Sequence, residues 1–292
     1  MAKRRTPRTR AARLWELTRI VAGEFRDHDL LTYTSAIAFR SLIALVPLTL
    51  LGLGLLGALG AQDVWAESIA PAIEGKVTTP VYVAVDYSVD RILSSGTAGL
   101  IAFAAALLLW DLVWAVGAIM SALNSIHEVE EHRSVRRRLL VRVWLAAAVG
   151  TCLILSGLVI AVAPKLADGA LDVPLGIGRW IVGVTLLGLA VGLLFRYAPA
   201  QRPQAKWASA GSVLVIASWI VASLLFRLYV ESVANFTSAT GSLTVFLVLT
   251  AYVLTSAMIF VVGAELDELL RRDAEKGESV GVVDLLRAAF GR

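Results

Sequence analysis

The chain has 292 residues, 58% of them hydrophobic and 17% charged, with 27 Lys and Arg against 23 Asp and Glu for a formal net charge of +4. Soluble domains sit near about 45–50% apolar, and the mean hydropathy here is +0.74, which excludes a water-soluble globular protein. The single cysteine, Cys152, leaves neither a disulfide framework nor a thiolate metal site.

Residues 1–29 form a basic tail with Lys3, Arg4, Arg5, Arg8, Arg10, Arg13, Arg19 and Arg26. Its segment RLWELTRIVAGEF places Leu14, Leu17, Ile20 and Val21 on one helical face, predicting an amphipathic juxtamembrane helix in the headgroup plane. Six apolar runs follow, at 33–60, 98–124, 139–163, 177–198, 207–230 and 242–265, each long enough to cross a bilayer as a helix. They lack the ten-residue alternation of a barrel. The first run is expected to be retained rather than cleaved, because its basic leader is too long for a signal peptide and Arg40 interrupts the run. Pro47 in ALVPLTL is expected to kink it.

The outer segment 61–97 carries Asp63, Glu67, Glu74, Asp86 and Asp90. Its apolar spacing predicts two amphipathic helices broken near Thr78-Thr79-Pro80, capping the outer mouth; a solvated connector is the alternative. After the second run, HEVEEHRSVRRR reads as a charged juxtamembrane helix with paired charges four apart, which accounts for His127, Glu128, Glu131 and His132 without a metal. Residues 267–292 form a second basic tail, and 30–266 the membrane domain.

The arginines set the expected orientation. Both tails, the stretch with Arg133, Arg136, Arg137, Arg138 and Arg142, and the connector with Arg196, Arg202 and Lys206 all fall on one side if there are six spans. That side is expected to be cytoplasmic, with both termini inside. The fold class is therefore an all-α integral membrane protein, a six-transmembrane-helix bundle.

Ionisable residues inside the spans are few: Arg40, Asp111 in LLLWDLVWAVG, Arg227, and Glu265 closing the last run. Intramembrane charges face the bundle interior and find partners, so Asp111 is expected to pair with Arg40 or Arg227. These residues, with Asn124, form either a polar pathway or a buried ion pair of purely architectural value. No HExxH, G-x-S-x-G, phosphate-binding loop or Cys/His cluster is present, so no enzyme, metal or cofactor is expected.

Four stretches carry a family resemblance. TSAIAFRSLIALVPLTLLGLGLLG, SALNSIHEV, RYAPAQRPQAKWASAGSVLVIASWIVASLLFRLYV and TGSLTVFLVLTAYVLTSAMIFVVGAELDELL resemble, in order, segments of the YihY/virulence factor BrkB family of bacterial inner-membrane proteins. The matched family positions are Pro47, Asn124, Gly241, Ser242, Gly263 and Glu265. Arg40, Asp111, His127 and Thr240 depart from the family's usual residues. Members have also carried a ribonuclease label, which these residues do not support.

The resemblance implies a multi-pass protein of the bacterial cytoplasmic membrane that serves the envelope. The function expected is transport of a lipid or lipid-linked molecule, or of a small solute or ion; the alternative is a non-transporting scaffold. Membrane lipids are the expected partners and nucleic acid is not; a homo-oligomer or envelope partner proteins remain open.

Overall fold

A computed structural model describes residues 25–74, 79–95, 98–162, 172–200, 210–232 and 241–276, together with Arg19 and Gly23. Every regular element among the described residues is helical. In chain order these are α1 (Leu30–Ala58), a π-helical turn (Trp65–Ile69) running into α2 (Ala70–Ile73), α3 (Thr79–Ser95), α4 (Ala98–Ile126), α5 (Val135–Val162), α6 (Asp172–Tyr197), α7 (Ala210–Ser232) and α8 (Gly241–Lys276). Six of them, α1 and α4 to α8, are long and apolar enough to cross a membrane. The amphipathic segment expected around Leu14 to Val21 lies outside the described residues.

α1 packs along α4 and against α8 and α3, α5 pairs with α6, and α7 pairs with α8. Within the chain 33% of the α1 span is buried but only 6% of the α7 span, so α1 is central and α7 peripheral. The core is apolar. On α4, Ala104, Leu108, Leu112, Val116 and Met120 recur every fourth residue as one buried stripe, against Ile37, Ala44 and Leu51 of α1 and Leu145 and Val149 of α5. Phe103, Leu107, Trp110 and Trp114 form the exposed stripe of the same helix, the face an apolar solvent would cover. α1 continues through Pro47, which is buried.

The last helix continues beyond the apolar run that Glu265 closes, to Lys276, because GAELDELLRR keeps polar and apolar residues on separate helical faces. One segment differs from expectation. The HEVEEH segment is not a helix: α4 ends at Ile126 and Glu128 adopts φ 51. There Val129 N donates to Asn124 O at 3.0 Å and Glu128 N to Ser125 O at 3.1 Å, the paired bonds of a Schellman stop. That stop breaks the four-residue register on which the expected charge pairing relied.

At the end where α1 stops, which the expected orientation makes the outer end, a second cluster, including Leu53, Leu56, Val64, Trp65, Val89 and Leu93, holds α3 and the π-helical turn onto α1. Gly57 is the contact point, since a Cβ there would lie 2.5 Å from the Leu93 carbonyl oxygen. Trp65 Nε1 donates to Asp86 at 2.8 Å.

Candidate functional site

The polar side chains gather at the end of the bundle where α1 begins and α4 and α8 end. On α8, Glu265, Glu268 and Arg272 are spaced three and four apart, so they share the face turned toward α1 and α4. Glu265 is fully buried and Glu268 is 2% exposed. A buried carboxylate is stable only when its charge is met, and these two are met differently.

Glu268 is held by arginines of its own helix. Arg271 grips it with a fork, Nε to Oε2 at 2.7 Å and Nη2 to Oε1 at 2.6 Å, and Arg272 adds an Nε bond at 2.8 Å. His127 Nε2 lies 3.6 Å from its other side. His127 Nδ1 donates to the Leu123 carbonyl at 2.7 Å, since a carbonyl only accepts. Arg272 also spans to α4, donating to Glu128 and to the Ile126 carbonyl, each at 3.0 Å. Burial alone would weaken the Arg272 charge; the bonds and charges of Glu268 and Glu128 outweigh it and hold the guanidinium above its ordinary pKa.

Glu265 meets His28 instead. His28 Nδ1 faces Glu265 Oε2 at 3.3 Å and its Nε2 faces Glu128 Oε1 at 3.6 Å. A doubly protonated ring satisfies both carboxylates, a neutral one only one at a time. Ser125 Oγ donates to the His28 carbonyl at 3.1 Å, tying the segment before α1 to the end of α4. Two histidines, three carboxylates and two arginines thus join three helix ends.

A second clamp lies beside it. Asn124 accepts from Ala200 N at 2.7 Å and donates to Glu131 at 3.3 Å. Arg133 donates to the carbonyls of Ala198, at 3.2 Å, and Pro199. Asn124 is therefore a connector between α4 and the end of α6, well apart from Asp111.

The residues inside the spans are arranged differently from the expected pair. Among the described residues Asp111 has no hydrogen-bond or ion-pair partner. Arg40 turns its guanidinium over the Trp114 ring, 5.5 Å from the centroid and one turn of α4 from Asp111. Arg227 is exposed on α7, which packs against α6 and α8. The reason is azimuthal: Asp111 stands one residue, about 100° of helix rotation, from buried Leu112. It borders the exposed stripe instead of facing the interior. Of the other expected positions, Gly263 is buried near the basic end. Gly241 and Ser242 open α8 at the opposite end.

Residues 21–281 match the family described as Virulence factor BrkB. The chain belongs to the BrkB family. A relative with a "ribonuclease-like protein YfkH" description, from Bacillus subtilis (strain 168), is 26% identical over 255 residues, covering 84% of this chain and 91% of the relative. No solved structure matches the chain. The family match agrees with the resemblance read from the four motifs, and with six apolar helices this BrkB-family chain is a multi-pass membrane protein.

His28, Glu268, Arg271, Arg272 and Arg133 were not singled out as site residues by sequence reasoning. The signal for Glu268 and Arg272 was present in their spacing from Glu265; that for His28 was not, because it needs the contact between the ends of α1 and α8.

Proposed function

We propose that this BrkB-family protein moves a lipid or lipid-linked molecule across or within the bacterial cytoplasmic membrane, with its basic end and both termini in the cytoplasm. The observation that carries the reading is Asp111. It is a half-buried carboxylate in the middle of a span, without a hydrogen-bond or ion-pair partner among the described residues, at the margin of the exposed stripe of α4 and one turn from the Trp114 ring that Arg40 covers. An intramembrane acid costs about 2.5–3.5 kcal/mol on insertion scales, and a passing polar headgroup would supply the partner that the described residues do not. The apolar core supports a membrane-facing route for an amphiphile over a central channel for a small solute or ion. The arginines around α5 and α8 support the orientation.

The same dry core favours a second reading, a non-transporting scaffold for an envelope complex, in which Asp111 would meet a partner protein. The ribonuclease-like description of the relative is not carried over: among the described residues no three His, Cys, Asp or Glu side chains are grouped to hold a metal, and the buried carboxylates are engaged by arginine and histidine.

Flux in proteoliposomes decides between the readings. A headgroup-labelled lipid is expected to move faster than in empty vesicles, and Asp111→Asn is expected to lower that rate at least tenfold while the protein stays folded. No lipid flux with wild-type protein would sink the transport reading, and flux of a small ion instead would make the solute the substrate.

A further inference from the structure

The first two turns of α5 hold charge that the rest of the basic end does not neutralise. Among the described residues Arg136, Arg137, Arg138 and Arg142 have no carboxylate within 4.0 Å, in contrast to Arg133, Arg271 and Arg272. The Nε atoms of Arg138 and Arg142 are buried without a hydrogen-bond acceptor. Arg137, but neither Arg138 nor Arg142, lines a cleft of about 460 Å³ between α5 and the end of α6, within the ~300–1,000 Å³ typical of small-molecule sites.

The cleft changes character along its length. Arg133 and Arg137 stand at its rim; Leu140 and Trp144, each at least half exposed, line it further down α5. Tyr197 closes the far side edge-on to Trp144, with ring centroids 5.3 Å apart, and carries the Arg196 guanidinium over its own ring at 5.7 Å. Trp144 lies seven residues beyond Arg137 on α5, about 10 Å below it at ~1.5 Å per residue. A basic rim at the level of the headgroups, above an aromatic and aliphatic wall, fits a molecule with an anionic head and an apolar tail.

We infer that this cleft is a binding site for one anionic phospholipid, its phosphate at Arg137 and Arg133 and an acyl chain along Leu140 and Trp144. Phosphate supplies the acceptor oxygens that the Arg137 guanidinium lacks among the described residues, and basic pockets between spans at the cytoplasmic face suit such headgroups. A resident lipid here does not require the protein to transport one, so the inference goes beyond the proposed function and stands without it.

The test is native mass spectrometry of the full chain in detergent, titrated with phosphatidylglycerol or with phosphatidylcholine of the same acyl chains. Phosphatidylglycerol is expected to bind preferentially. Arg137→Glu is expected to weaken it at least fivefold, the equivalent of the contribution of about 1 kcal/mol per basic residue near a membrane surface. Arg136→Glu, the same charge change one residue outside the cleft, is expected to change binding less than twofold. Trp144→Ala is expected to weaken phosphatidylglycerol binding, and millimolar inorganic phosphate is expected not to displace it. Equal retention of the two lipids, or equal loss with Arg136→Glu and Arg137→Glu, would overturn the site in favour of diffuse surface charge. Displacement by inorganic phosphate with no effect of Trp144→Ala would reduce it to a free-anion site. Arg137 is exposed and among the described residues its guanidinium has no hydrogen-bond or ion-pair partner, so that variant keeps the test decisive even if Trp144→Ala fails to fold.

Discussion

The two ends of the bundle solve one problem by different means. At the outer end α1 stops at Gly60, with φ 69, and the cap formed by the π-helical turn and α3 closes over an apolar cluster. At the basic end α4 stops at Glu128, with φ 51, and the ends of α1, α4 and α8 are joined through charges. The outer end depends on shape, so added volume is its weakness. The basic end depends on charge balance, and an uncompensated carboxylate is its weakness.

The sharpest break at the basic end is to remove the cations and keep the acid. Arg271→Ala with Arg272→Ala leaves Glu268 buried with only His127 at 3.6 Å. Breaking a buried ion pair in this way costs about 3–5 kcal/mol, readable as a lowered unfolding midpoint in detergent. Adding Glu268→Leu is expected to recover most of the loss, since an apolar residue removes the stranded charge. A double variant as stable as wild type would mean that the network is screened and contributes little. The matching break at the outer end is Gly57→Ala. Its Cβ would sit 2.5 Å from a backbone oxygen of α3 that cannot rotate away, and overpacking of this kind costs about 1–3 kcal/mol. Gly52→Ala is the control in the same helix, because a Cβ there meets nothing within 4 Å. It is expected to be neutral or slightly stabilising.

The contrast also explains which parts were legible beforehand. The six spans follow from run length alone, a one-dimensional property. Glu265 was legible as a special residue because an acid at the end of an apolar run needs a partner. That partner, His28, stands 237 positions away, and only the neighbouring of α1 and α8 reveals it. Asp111 was legible in depth but not in azimuth: sequence places it mid-span, whereas the stripe from Ala104 to Met120 decides that it borders the exposed face. Arg40 misled for the related reason that a long side chain one turn away chose the Trp114 ring. The stop at Glu128 was hidden because a left-handed helix cap is signalled by glycine or asparagine, as Gly60 signals it at the outer end.

That last difference gives the finest test of the comparison. Gly60→Ala forces a side chain into the left-handed region and is expected to cost about 1–2 kcal/mol, with no dependence on salt. Glu128 already bears that strain, so Glu128→Gly relieves it while losing the contacts to Arg272 at 3.0 Å and His28 at 3.6 Å. Its side chain is 63% exposed, so those contacts are screened and contribute about 0–1 kcal/mol together, against a similar gain in backbone freedom offset by the entropy of glycine. The net change is expected to lie within about 1 kcal/mol of zero. Its sign should shift with ionic strength: at ~1 M salt the Debye length falls to about 3 Å, the lost pairs no longer count, and Glu128→Gly gains on wild type. A salt-independent difference would mean that Glu128 is held in its left-handed conformation by the backbone bonds of the turn alone. The basic end would then be stopped by geometry, as the outer end is, with the charges acting only between Glu265, Glu268 and their own partners.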